Sequence, residues 1–310
     1  MSTVDLVAPD ATEDDRPPRR LRSVLRRAAG GPSGRRLGEG HLAVAPLLLF
    51  VAVGFGVPAV AMAYGAFTTN TPGTYTAGNL TASLQGGYLT ALLGSVKLSA
   101  VSALIATVVG LLLAQAVATS RFRALRHAVL SASGVLANFG GVPLAFAFIA
   151  TLGNAGVLTT RLHLDDAGWS LYTFWGLNLV YLYFLVPLMV LSVLPSLDGL
   201  RRQWREAAQN NGATLWKYWR YVALPVLAPS LLGGFVLLFG TAFAAYATAA
   251  AMVGASVPLI TLQIANALNG NVSADAGNVA LAMSLDMVVI ASLVMVVYLP
   301  LQRRSARWLV

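Results

Sequence analysis

Glu206-Ala207-Ala208-Gln209-Asn210-Asn211-Gly212, followed after nine further residues by Val222-Ala223-Leu224-Pro225, lies between two long apolar runs, one over 171 to 194 and one over 225 to 251. A hydrocarbon core about 30 Å thick takes roughly 20 apolar residues in a helix rising 1.5 Å per residue, so each flanking run is long enough to cross a bilayer. The same count along the whole chain predicts six spans, over 42 to 66, 90 to 118, 128 to 152, 171 to 194, 225 to 251 and 279 to 301. Composition agrees: 57% hydrophobic residues, 11% charged residues and a mean hydropathy of +0.69 leave too little polar surface to cover a soluble globule of 310 residues. The expected fold class is an all-α integral membrane protein with six transmembrane helices, in which the quoted stretch is a surface loop.

Lys and Arg decide which surface. Positive residues are retained on the cytoplasmic side of a membrane. Eight Arg precede the first run (16, 19, 20, 22, 26, 27, 35 and 36). Arg121, Arg123 and Arg126 follow the second, and Arg201, Arg202, Arg205, Lys217 and Arg220 follow the fourth. Arg303, Arg304 and Arg307 follow the sixth, so 19 of the 21 Lys and Arg fall on one side if both termini are cytoplasmic. The exceptions are Lys97 and Arg161, the latter in a loop that also holds Asp165 and Asp166. This sorting places the quoted loop in the cytoplasm and accounts for the net charge of +9 without nucleic acid as a partner. Residues 1–40, with Asp5, Asp10, Glu13, Asp14 and Asp15 ahead of the Arg-rich part and several Pro and Gly, read as a disordered cytoplasmic tail. Its basic cluster suits anionic lipid headgroups as well as topology signalling. The first run is too long, and too far from the start, for a signal peptide, and reads as a helix over 41–67.

Within the loop, Ser196 or Asp198 is suited to cap a helix from about Leu200 to Asn210, whose Leu200, Trp204, Ala207 and Ala208 fall near one face. Gly212, after two Asn, suits the left-handed residue that ends a helix, and Thr214 is placed to cap a second short one. Pro225 falls in the first turn of the fifth span, where its missing N–H costs nothing. The resulting helix–turn–helix offers two small alanines and one carboxylate to another surface. An interfacial amphipathic linker with Trp and Arg at headgroup level would explain the composition but not the spacing.

The spacing, Glu206-Ala207-Ala208, three residues, Gly212, nine residues, then Val222-Ala223-Leu224-Pro225, resembles the EAA loop of permease subunits of binding-protein-dependent ABC importers, with Val222 where that pattern has Ile. The resemblance covers roughly 88–305, with the first span as an additional helix and the coupling loop at 196–225. It implies a type I importer permease fold in the cell's cytoplasmic membrane. It also implies that Glu206, Ala207, Ala208, Gly212, Leu224 and Pro225 form the element that seats in a cleft of an ATPase subunit. Asn138-Phe139-Gly140-Gly141-Val142-Pro143 and Gly153-Asn154-Ala155-Gly156 resemble the branch carrying polyamines, iron complexes, thiamine or phosphonates rather than the sugar branch, which stays as the alternative.

The engine is expected on another chain. A phosphate-binding loop needs Gly, four residues, Gly, Lys, then Ser or Thr. Both lysines fail it, since Lys97 precedes Leu98 and Lys217 precedes Tyr218. ATP and Mg therefore belong to partner ATPase subunits, and no cofactor is expected here. A second permease, identical or different, and an extracytoplasmic solute-binding protein complete the set the resemblance implies. The absence of Cys excludes thiol nucleophiles, Cys-ligated metals and disulfides, and His41, His127 and His163 form no metal-ligand pattern. No catalytic or metal-binding residue is assigned.

Charges inside a bilayer are costly and mark function or pairing. Lys97 and Asp286 are the two such residues, each expected in the outer half of its span, either joined as an intramembrane ion pair or lining the solute path. Lys97 could instead snorkel to the outer interface. Gln115, Asn138, Asn178, Thr241 and Tyr246 are expected chiefly to bridge helices, and Pro143 and Pro187 to kink them. An ion-coupled secondary carrier is the rival class; it would need more intramembrane ionisable groups and leaves the EAA spacing unexplained. An integral membrane enzyme lacks a cluster of acids, bases or metal ligands.

Overall fold

The computed structural model describes residues 46–69, 74–164, 166, 168–253, 256–270 and 276–306, with side chains of the final helix to Gln302. The basic tail at 1–40, Asp165, and the side chains of Arg303, Arg304 and Arg307 lie outside the described residues. The chain divides into a unit ending at Ala59 and a larger one from Val60 onward.

Six helices among the described residues are long and apolar enough to cross a membrane. They agree with the counted runs to within a few residues at four of the six positions. The first, α1, is Pro46–Ala66 and carries a π-helical stretch at Ala52–Gly56. After the short α2 (Gly78–Ser83) comes α3, Gly86–Thr119, which at 34 residues is about 51 Å long and exceeds what a bilayer requires. The third expected span is not one helix. It divides into α4 (Arg123–Asn138) and α5 (Val142–Leu152), and a further short α6 (Val157–Leu162) extends the second piece. The fourth span, α7, is Phe174–Asp198. The loop helices α8 (Arg202–Asn210) and α9 (Leu215–Tyr218) follow. The fifth span, α10, is Leu224–Phe243, and it too stops early, with its tail turned into a separate α11 at Ala247–Met252. After α12 (Ile260–Leu268), α13 (Ala276–Ala306) forms the sixth.

Helices in lipid gain little from excluding water and associate through close packing, which favours small residues at their contacts. In α3 the buried positions are mostly small: Ala91, Ser95, Ser99, Ser102, Ala103, Ala106, Gly110 and Ala114. They pack against α7, the most buried span. Met189 of α7 shows how tight this is. A Cβ on Gly110 would stand 2.6 Å from the Met189 Cβ, and one on Gly234 of α10 would stand 2.6 Å from its sulfur, so two glycines on different helices admit the same side chain. Helices α3, α7 and α10 thereby form the central packing unit.

The two broken spans meet at their breaks. Gly141, at φ +77°, lies in a region open to glycine and immediately precedes α5. Its N–H donates to Thr248 Oγ1 at 2.9 Å, and that hydroxyl in turn donates to the Gly141 carbonyl at 3.3 Å, tying the first break to α11. Tyr181 of α7 donates its phenol to the Ala245 carbonyl at 3.0 Å, in the second break. Irregular backbone at membrane depth needs such partners. Pro143 sits in the first turn of α5 instead of kinking a continuous span, whereas Pro187 lies inside α7 as expected.

Candidate functional site

The loop between the fourth and fifth spans is built from backbone caps. Helix α8 begins after Arg201, which makes no side-chain cap, so the expected capping by Ser196 or Asp198 is corrected. Tertiary partners have taken both groups. Ser196 Oγ lies 2.6 Å from Ser230 Oγ of α10, and Asp198 pairs with Arg126 of α4. The C-terminal end follows expectation. Gly212 has φ +71°, its N–H donates to the Gln209 carbonyl at 2.9 Å, and the Ala213 N–H donates back to the Ala208 carbonyl at 3.0 Å. This is the Schellman arrangement, in which a left-handed residue closes the helix by a reversed pair of bonds. It explains the fixed four-residue interval between Ala208 and Gly212: one supplies the accepting carbonyl, the other the left-handed turn. Asn211 adds a bond from Nδ2 to the Ala207 carbonyl at 2.8 Å.

Thr214 then caps α9, its Oγ1 accepting from the Lys217 N–H at 3.3 Å. From α9 the chain enters the fifth span through a π-helical stretch, Trp219–Ala223, in which the Leu224 N–H reaches the Trp219 carbonyl five residues back. Proline in a helix removes an N–H and crowds the carbonyl four residues earlier. The π stretch lies directly ahead of Pro225, so the helix runs from Leu215 to Phe243 as one apolar segment in spite of it. The expected position of Pro225 holds: α10 begins at Leu224 with Pro225 in its first turn, and the π stretch joins it to α9.

No residue of α8 is buried. Glu206 and Ala207 are exposed and Ala208 half-buried, while Trp204, one turn before Ala208, turns inward. Arg202 Nε donates to Glu206 Oε1 at 2.9 Å. Tyr218, buried, and half-buried Trp219 anchor the loop's second half. A cleft of about 990 Å³ opens between α8 and the adjoining ends of α3 and α7.

Lys97 and Asp286 are not brought together as an ion pair. Asp286 is 8% exposed, and its Oδ2 accepts from the Ser83 hydroxyl of α2 at 2.7 Å. The Lys97 ammonium lies 5.3 Å over the Phe174 ring instead. Counted from the Arg-flanked end of α3 at Thr119, Lys97 stands about 33 Å along the axis, slightly more than the thickness of a hydrocarbon core. Asp286 stands only about 24 Å from Gln302, still inside. A lysine at that boundary has its charge at headgroup level.

Of the polar residues expected to bridge helices, Asn138 and Thr241 bond carbonyls of their own helices, Gly134 and Leu237. Asn178 is buried with its amide nitrogen unpartnered. The bridging is done by residues that sequence reading missed: Thr248, Tyr181, the Ser196 and Ser230 pair, and Ser95, whose Oγ accepts from the Ile260 N–H at 2.8 Å. Serine, threonine and tyrosine in apolar runs were the available signal, without a way to say which of them faced a broken backbone.

Comparison with known proteins places this architecture. The profile of the family described as a binding-protein-dependent transport system inner membrane component matches residues 106–307, and the chain belongs to that family. It is therefore a multi-pass membrane protein of the permease class. The sulfate transport system permease protein CysT of Escherichia coli (strain K12) is 37% identical over 68 residues, covering 22% of this chain and 24% of that protein. The spermidine/putrescine transport system permease protein PotC of the same organism is 28% identical over 124 residues, covering 39% and 47%. The chain thus matches between about a quarter and a half of the length of these curated relatives.

Solved structures extend the likeness in fold. A chain of a bacterial ABC transporter involved in the import of the acidic polysaccharide alginate superposes with a TM-score of 0.66 at 17% identity, covering 92% of this chain and 99% of that one. A chain of the MetNI methionine ABC transporter in an inward-facing conformation gives 0.51 at 15% identity, covering 71% and 99%. The fold is that of a type I ABC importer permease.

Proposed function

We propose that this chain forms half of the translocation pathway of an ATP-driven importer and that α8 transmits the stroke of a separate ATPase subunit. The observation that carries the reading is a helix with no buried residue, closed by a Schellman turn at Gly212 and continued through the π stretch into a membrane span. An exposed helix of this kind gains nothing from its own fold by being so firmly terminated; a partner surface does. Ala207 and Ala208 permit close approach, Glu206 offers a carboxylate, and α9 carries displacement into α10. ATP and Mg are held by the partner, and this chain is not itself catalytic. Residues 1–40 are a cytoplasmic tail, α1 is an accessory helix, and 88–305 form the core.

A second permease and an extracytoplasmic binding protein complete the assembly. The alginate transporter has been solved with a pentasaccharide-bound periplasmic protein, which supports that kind of partner. The solute is a small polar molecule; sulfate and polyamine relatives support the polyamine, phosphonate, thiamine and iron-complex branch over sugars. Lys97 meets solute at the mouth, a role that its cation–π contact with Phe174 supports, and Asp286 serves packing through Ser83.

Affinity purification from native membranes tests the reading. Wild-type chain is expected to bring down an ATPase subunit, and Glu206→Lys to reduce that recovery by about tenfold, the effect of losing one central contact worth roughly 1.4 kcal/mol. Unchanged recovery together with unchanged solute uptake would contradict it.

A further inference from the structure

The cleft beside α8 carries more positive charge than the coupling role assigned to Glu206 accounts for. Arg121, Arg201, Arg202 and Arg205 line it, with two acids, Asp198 and Glu206. Both acids are engaged: Asp198 with Arg126 of α4, and Glu206 with Arg202. Among the described residues, Arg121, Arg201 and Arg205 therefore have no carboxylate within ion-pair distance. The Arg201 guanidinium stacks near the Trp204 ring, at 5.9 Å from its centroid, which orients it without neutralising it. Three uncompensated guanidiniums around one concavity are a site for an anion with several acceptor oxygens.

Position and lining specify the anion further. The cleft lies at the last turns of α3 and α7. Helix α7, at 25 residues, is about 37 Å long, a little more than a hydrocarbon core, so its end falls in the headgroup layer. The remaining walls are mixed: Leu197, Leu200 and Leu215 are apolar, and Gln115 and Gln209 are polar. Trp216 and Tyr221, 70% and 71% exposed, flank this end of the fifth span as interfacial aromatics do. A soluble phosphate would use the arginines but leave the leucines unexplained. An amphiphile uses both, and a basic pocket between spans on the cytoplasmic side is where anionic headgroups bind.

We propose that this cleft holds the phosphate headgroup of an anionic phospholipid, with Arg121 on α3's side and Arg205 on α8's side gripping it together. The lipid thereby ties α8, which has no buried residue of its own, to the ends of α3 and α7. The proposal goes beyond the coupling role and depends only on this end of the spans lying at a membrane surface.

The test is lipid retention by the full chain after detergent delipidation and back-addition, read by native mass spectrometry. Wild type is expected to retain phosphatidylglycerol over phosphatidylcholine by about tenfold or more, as three clustered surface cations imply. Arg121→Gln combined with Arg205→Gln should abolish that preference. Arg123→Gln, a neighbouring charge outside the cleft, should keep it. Equal retention of the two lipids by wild type, which requires no variant to fold, overturns the proposal. So does equal loss in Arg123→Gln, which would mean bulk charge rather than a site. Undiminished phosphatidylglycerol with loss of the ATPase subunit in Arg121→Gln would assign the arginines to protein docking and also overturn it.

Discussion

Helices α7 and α8 are separated by only a few residues and are stabilised in opposite ways. More than half of α7's apolar window is buried, and Met189 is gripped by glycines of two neighbouring helices. Helix α8 has no fully buried residue, and is defined by hydrogen bonds at its C-terminal end and by the capped α9 beyond. Interior order in this protein comes from small residues that let backbones approach, and surface order from backbone bonds that need no neighbour. The first suits a span that must not deform, the second a projection that keeps its shape at the surface.

Substitutions that hit one mode and spare the other should separate the two regions. Gly110→Leu carries the largest expected effect on stability. Its Cβ would meet the Met189 Cβ and approach the Val186 carbonyl, neither of which is a flexible chain end, so overpacking of about 3 kcal/mol is expected. Thermal unfolding in detergent should show it as a lowered midpoint. Gly212→Val comes next. No atom would touch the new Cβ, but φ +71° is strained for a β-branched residue by about 1–3 kcal/mol. That strain should act locally, with faster amide exchange over 207–213 and impaired transport while the global midpoint barely moves. A midpoint drop matching Gly110→Leu would erase the distinction between regions. Ser196→Ala, which strands Ser230 at the join between α7 and α10, should cost about 0.6 kcal/mol, and the double change with Ser230→Ala should cost little more.

What could be read from the sequence divides along the same line. Local rules succeeded: Gly212 after two asparagines and Thr214 ahead of Leu215 have the predicted geometry, because caps depend on a few adjacent residues. Span counting succeeded for the same reason, since hydropathy is a window property. It failed to see that the third and fifth runs are broken, because Asn138–Gly141 and Ala244–Tyr246 are short and uncharged and do not end a window-averaged apolar run. What stabilises the breaks is remote: Thr248 for Gly141 and Tyr181 for Ala245. Asp198 was misassigned as a cap because its partner, Arg126, lies 72 residues away. The expected pairing of Lys97 with Asp286 does not form because each has another partner that lies far off in sequence or on another helix, Phe174 for Lys97 and Ser83 for Asp286.

The central claim is that the exposed face of α8 is occupied by an ATPase in the working assembly. A photocrosslinking amino acid at Ala207, in tagged protein within native membranes, tests it most directly, with the same probe at Trp175 as the control at the other end of the molecule. The account predicts a crosslinked product from position 207 that contains a subunit with a phosphate-binding loop, and none from position 175. Crosslinking from position 207 to lipid alone, or equal ATPase capture from both positions, would contradict it.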